Sequence, residues 1–110
     1  MNSKLTFIVH LPAIPERLAE LEAGVRGVLT AMSAEPDFVH CSLHRSQQDP
    51  STLVVYETWT CSREHFLAHH IGKDYRADFE QALASRLAAP RRIEFLDDVD
   101  PPLYLTARAK

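Results

Sequence analysis

"FVHCSLHRSQQDPSTLVVYETW", residues 38 to 59, decides the fold. Its two ends are short runs rich in valine and aromatic residues, which suit a pleated, half-buried surface. Between them "SQQDPS" carries the Ser, Asp and Pro of a turn. Phe38 to Arg45 and Thr52 to Trp59 therefore read as the paired strands of a hairpin. In the later strand Leu53, Val55 and Trp59 point to one face, and Val54 and Tyr56 to the other. In the earlier one Phe38, His40, Ser42 and His44 share a face opposite Val39, Cys41 and Leu43. His40 and His44 read as exposed or at a seam between subunits; the alternative is that His44 points into a cavity near Glu57.

Upstream, "KLTFIVHL" (Lys4 to Leu11) is a β-branched and aromatic run, so it reads as a strand. Pro15 suits the first turn of a helix, where its missing N–H costs nothing. From there Ile14, Leu18, Leu21, Val25, Val28, Leu29 and Met32 recur at steps of three and four, the pattern of an amphipathic helix. Gly24 and Gly27 inside it each cost about 1 kcal/mol relative to alanine. They mark either close packing on the sheet or room for a ligand. "EPD" (Glu35 to Asp37) ends the helix.

Downstream, Ser62 is placed to cap a helix that carries His65, His69 and His70. "GKD" interrupts it, and Tyr75, Phe79, Ala82, Leu83 and Leu87 continue at helical spacing until Pro90. "RRIEFL" (Arg91 to Leu96) supplies a fourth strand. The order β-α-β-β-α-β predicts an α+β, ferredoxin-like fold with an antiparallel sheet. Two helices cover only one face of such a sheet, yet the first and third strands are apolar on both faces. A homodimer with sheets packed face to face is therefore expected. Residues 1–100 form the domain, and residues 101–110 form a tail whose "LYLT" can reach the partner.

A chain of 110 residues is one domain, and its 45% apolar and 25% charged composition is that of an ordinary globule. A net charge of −3 without a basic cluster argues against nucleic acid as a partner. No apolar run is long enough to span a membrane. No basic start with a following apolar stretch is present, so no signal peptide is expected. Cys41 and Cys61 make neither a disulfide framework nor a Cys-x-x-Cys, which fits a reduced, cytoplasmic protein.

The histidines raise two possibilities. His65 and His69 are four apart, but two ligands fall short of a metal site, and Glu64 precedes His65, so His-Glu-x-x-His is absent. No metal is expected. On a helical wheel Phe66, Leu67 and Ile71 define the buried arc, which takes in His70 and leaves out His65 and His69.

Three segments, "AEPDFVHCSLHRSQQDPSTLVVYETW", "HFLAHHIGKDYRADFE" and "RRIEFLDD", together resemble the antibiotic biosynthesis monooxygenase-like family of dimeric α+β barrels over residues 4 to 98. The resemblance implies that fold and one of several activities: oxidation of phenols and quinols without a cofactor, haem degradation, or isomerisation of small molecules. The haem-degrading members use an Asn in the first strand, a Trp in the second helix and a later His. Here the only asparagine is Asn2, and the other two positions fall near His69 and Phe79. Haem degradation is accordingly set aside. The polyketide-oxidising members use an Asn near the central Trp, which is also missing. Trp59 falls on the family's strand tryptophan, and His69 on its helix histidine if one extra residue intervenes. The resemblance thus favours His69, whereas the wheel favours His70.

No glycine-rich phosphate loop, haem motif or flavin fingerprint is present in the sequence, so no cofactor is expected. An oxygenase of this kind takes its electrons from the substrate, a small aromatic or quinol-like compound such as a quinol or polycyclic phenol, and passes them to O2. A phenol near pKa 10 and an imidazole near 6.5 differ by about 3.5 units, or about 5 kcal/mol. The pocket must therefore also stabilise the anion; Arg76, Arg91, Arg92 and Lys73 are available. The expected site has His69 as proton acceptor with Trp59 beside it, and Tyr75, His44, Glu57 and His70 around the substrate. The alternatives are an isomerase using the same acid–base histidine, and a non-enzymatic small-molecule-binding dimer.

Overall fold

A computed structural model describes residues 4–107; Asn2 and the last three residues of the tail lie outside the described residues. The elements are β1 (Leu5–Pro12), α1 (Leu18–Met32), β2 (Phe38–Arg45), β3 (Thr52–Trp59), α2 (Arg63–His69), α3 (Ala77–Leu83) and β4 (Arg92–Leu96). Single 3-10 turns, Pro15–Arg17 and Asp74–Arg76, lead into α1 and α3. The sheet runs β2-β3-β1-β4, antiparallel throughout, which is the ferredoxin-like order.

Alternation along the central strands builds the core. Leu5, Phe7, Val9 and Leu11 of β1 lie opposite Trp59, Glu57, Val55 and Leu53 of β3, and all eight are buried. The α1 stripe of Leu21, Val25, Val28 and Met32 closes over them, at steps of four, three and four. Each such side chain contributes about 1.5–3 kcal/mol on leaving water. An aromatic group holds the far end: Phe66 of α2 lies 5.0 Å from the Phe7 ring and 5.2 Å from the Trp59 ring. Ser62 caps α2, its hydroxyl accepting from the His65 backbone N–H at 3.0 Å.

Three local features differ from the sequence reading. β2 contains an irregularity between Phe38 and His40, where the register against β3 jumps by one residue. Phe38 therefore turns inward, edge-on to Trp59 at 5.4 Å, while His40 sits outward beside Tyr56. Phe38 does not share a face with His40, Ser42 and His44. Second, α3 ends at Leu83 rather than running to Pro90. Backbone groups past it are used elsewhere: Ile14 N–H donates to Arg86 C=O, and Ala88 N–H to Pro12 C=O. Third, Gly24 packs against Phe79 and Arg86 rather than the sheet; a Cβ there would meet both at 3.1 Å, whereas Gly27 faces open space. Residues 97–107 have no regular structure, and Leu103, Tyr104 and Leu105 are exposed.

Candidate functional site

The inward phase of β3 places Val55, Glu57 and Trp59 in a row beneath the helices. Glu57 shares a cavity of about 50 Å³ with Phe7, Val28, Met32, Arg76 and Phe79. It is a carboxylate only 5% exposed among apolar side chains. Burial pushes its carboxyl above the ordinary range, opposed by the Trp59 indole, which donates from Nε1 to Oε1 at 3.0 Å, and by the charge of Arg76. Arg76 itself is buried: Nη2 reaches the Met32 sulfur at 3.1 Å, and Nε has no hydrogen-bond partner among the described residues. A buried guanidinium with an unmet donor is costly unless something else receives it. Arg91 also lines the cavity, but a bidentate pair with Glu80, at 2.7 and 2.8 Å, occupies it.

Behind Glu57, Trp59 is fully buried, and its ring stacks obliquely on that of His70 at 4.6 Å. His70 is the imidazole that turns inward, 3% exposed, because it lies four residues after buried Phe66. His69 turns outward and stacks on His65 at 4.3 Å on the solvent side of α2, so it does not face the cavity. Leu67, assigned to the buried arc of the wheel, is 43% exposed. His70 Nε2 lies 3.0 Å from Asp37 Oδ2, and His65 Nε2 lies 3.2 Å from the same oxygen. The His70 hydrogen bond, with help from both imidazole charges, holds the Asp37 carboxyl below its ordinary range.

The other expected residues are spread over the molecule. His44 pairs with Val54 on the outer face and bonds Ser42 Oγ at 2.7 Å, so the sheet separates it from Glu57. Tyr75 is half-buried, donates to Glu35 Oε2 at 3.0 Å and borders a groove beside Gly24 and Gly27, not the central cavity. Burial and Glu35 push its phenol upward. Of the residues singled out in sequence, Glu57, Trp59 and His70 come together; His69, His44 and Tyr75 do not join them. Arg76 was one of four undifferentiated cations in the sequence. Its signal was position, since it lies on the stripe that continues through Phe79 and Leu83 at steps of three and four. Among the described residues, Asp37, Cys61 and His70 form one cluster able to hold a metal ion, their ligand atoms lying within 4.8 Å of one another. No spacing in the sequence announces it.

A search among curated proteins finds no significant match. Solved structures with the same fold include Rv0793 from Mycobacterium tuberculosis, 20% identical, covering 89% of this chain and 97% of that one, with a TM-score of 0.79. PA3566 from Pseudomonas aeruginosa is 22% identical over 90% and 97%, with a TM-score of 0.79. A Caulobacter crescentus protein that carries the monooxygenase family's name is 25% identical over 89% and 92%, with a TM-score of 0.78. The family model for antibiotic biosynthesis monooxygenase matches residues 5–81, from β1 through most of α3, and the chain belongs to that family.

Proposed function

We propose that this protein is a cofactor-independent monooxygenase that oxidises a quinol or phenol with O2 in the cavity beneath α1 and α3. One observation carries the reading: the buried Arg76 guanidinium, with Nε unpartnered among the described residues, lines the same apolar cavity as the buried Glu57 carboxylate. That pairing meets both demands of a phenolic substrate. Glu57, its carboxyl raised by burial, accepts the phenolic proton; a base whose pKa is brought closer to the working pH transfers protons more effectively. Arg76 stabilises the phenolate in surroundings where water does not compete. The anion then gives its electrons to O2. One oxygen atom becomes the new ring carbonyl, and the other leaves as water with the ring and phenolic hydrogens. All four electrons come from the substrate.

The position of His69, outside the cavity, transfers the base role to Glu57, and Trp59 holds that carboxylate by its indole N–H. A free volume of about 50 Å³ is far below the several hundred of sites for larger ligands. A single benzene ring already needs about 150 Å³, so a hydroquinone enters only if lining side chains move, and a polycyclic phenol demands a much larger movement. The same small volume favours a second reading, proton transfer on a small carbonyl compound without O2. A homodimer formed through the outer sheet face, in a reduced cytoplasmic setting that keeps Cys41 and Cys61 as thiols, belongs to the proposal.

Oxygen uptake with substituted hydroquinones tests it. Wild type and His69→Ala should consume O2 alike, and Glu57→Gln and Arg76→Met should not. Absence of uptake by wild type, or equal uptake by all four, removes the oxygenase; isomerisation of a hydroxycarbonyl without uptake selects the second reading.

A further inference from the structure

Asp37, Cys61 and His70 take no part in the cavity chemistry, yet their polar atoms converge, and His65 reaches Asp37 from the solvent side. Cys61 and His70 are buried, at 6% and 3% exposure. Asp37 Oδ2 stands 3.0 Å from His70 Nε2 and 3.2 Å from His65 Nε2. In a tetrahedral zinc site, with metal–nitrogen and metal–oxygen bonds of about 2.0–2.2 Å, neighbouring nitrogen and oxygen ligands stand about 3.3–3.5 Å apart. The observed separations are within a few tenths of an ångström of that edge. The Cys61 sulfur lies within 4.8 Å of the Asp37 and His70 ligand atoms.

We propose that Asp37, Cys61 and His70 bind one zinc-class divalent cation and that the half-exposed His65, already beside Asp37, swings in as the fourth ligand, tying the entry to β2, the exit of β3 and helix α2 together. Thiolate and imidazole donors select a borderline-soft ion of this kind over magnesium or calcium. Charge also balances: one carboxylate, one thiolate and two neutral imidazoles neutralise a doubly charged cation. Four protein ligands leave no open position, which is the arrangement of a structural site. The half-exposed Asp37 and His65 give the ion a path from solvent to the buried pair. On binding, Cys61 gives its thiol proton to solvent and coordinates as the thiolate. The competing site is the surface pair His65 and His69, which Cys61 does not touch on binding.

The test uses the full-length, tag-free protein, stripped with a chelator and titrated with Co2+ and then Zn2+. One equivalent of each should bind, and the cobalt complex should show a thiolate-to-metal charge-transfer band. Cys61→Ser should abolish that band and weaken Zn2+ binding by roughly tenfold or more, while Cys41→Ser and His69→Ala change neither. Wild type that takes up no stoichiometric metal, a cobalt complex without the thiolate band, or loss of binding in His69→Ala overturns the proposal. The band is read on wild type, so a poorly folding variant does not blunt the test, and turnover of hydroquinones has no bearing on it.

Discussion

At position 57 of β3, burial disfavours the carboxylate charge, while the Trp59 indole and the Arg76 guanidinium favour it. The net displacement is upward, so the folded chain holds this proton more tightly than the unfolded chain does. Stability from Glu57 is full below its unfolded pKa and is lost as pH rises through the higher folded value. Glu57→Gln should therefore match or exceed wild type in urea denaturation at neutral and alkaline pH, with no gain in acid. Its turnover should fall by about 10²–10⁴, the usual share of a general base. Trp59→Phe removes the donor that lowers this pKa, so the acid limb of the pH–rate profile should move to higher pH. An unmoved limb would show that the indole does not tune Glu57. The inward row of Leu53, Val55 and Trp59 was legible from alternation, and the helical arc of Phe66, Leu67 and Ile71 pointed to His70, although the family resemblance favoured His69. Arg76 was not, because helical position says which face a cation occupies, not whether its neighbours leave it a partner.

At the scale of elements, α1 offers an internal comparison. Both glycines lie within one helix, but Gly27 faces open space and Gly24 faces Phe79 and Arg86. Gly27→Ala should raise unfolding free energy by about 0.5–1 kcal/mol, through helix propensity and a less flexible unfolded chain. Gly24→Ala gains the same term but must displace the Phe79 ring, so its midpoint in urea should lie below that of Gly27→Ala. Equal midpoints would mean that α1 and α3 pack less closely than described. The hairpin strands and the Ser62 cap follow from local sequence because turn and capping chemistry is local. The irregularity at Phe38–His40 does not: one extra residue in a strand has no residue-type signature and is set by what Phe38 gains against Trp59. The early end of α3 has a similar origin, since residues past Leu83 pair with the chain after β1.

For the whole molecule, the helices cover one sheet face, and the other presents Tyr56 and Leu96 at 38% and 36% exposure. With Val39 at the β2 irregularity and the apolar tail, these residues form the surface a second copy would cover. Light scattering at micromolar concentration should give twice the monomer mass, and Tyr56→Lys should lower it toward one. A monomeric wild type would remove the dimer. The sequence by itself determined the element order, the inward phase of β3 and hence the ferredoxin-like sheet, because hydrophobic periodicity and turn chemistry act over a few residues. Only the tertiary structure decided which polar groups meet. Glu57 faces Arg76 across two elements, and Asp37, Cys61 and His70 converge from three; such distances depend on how layers pack, which no local pattern encodes.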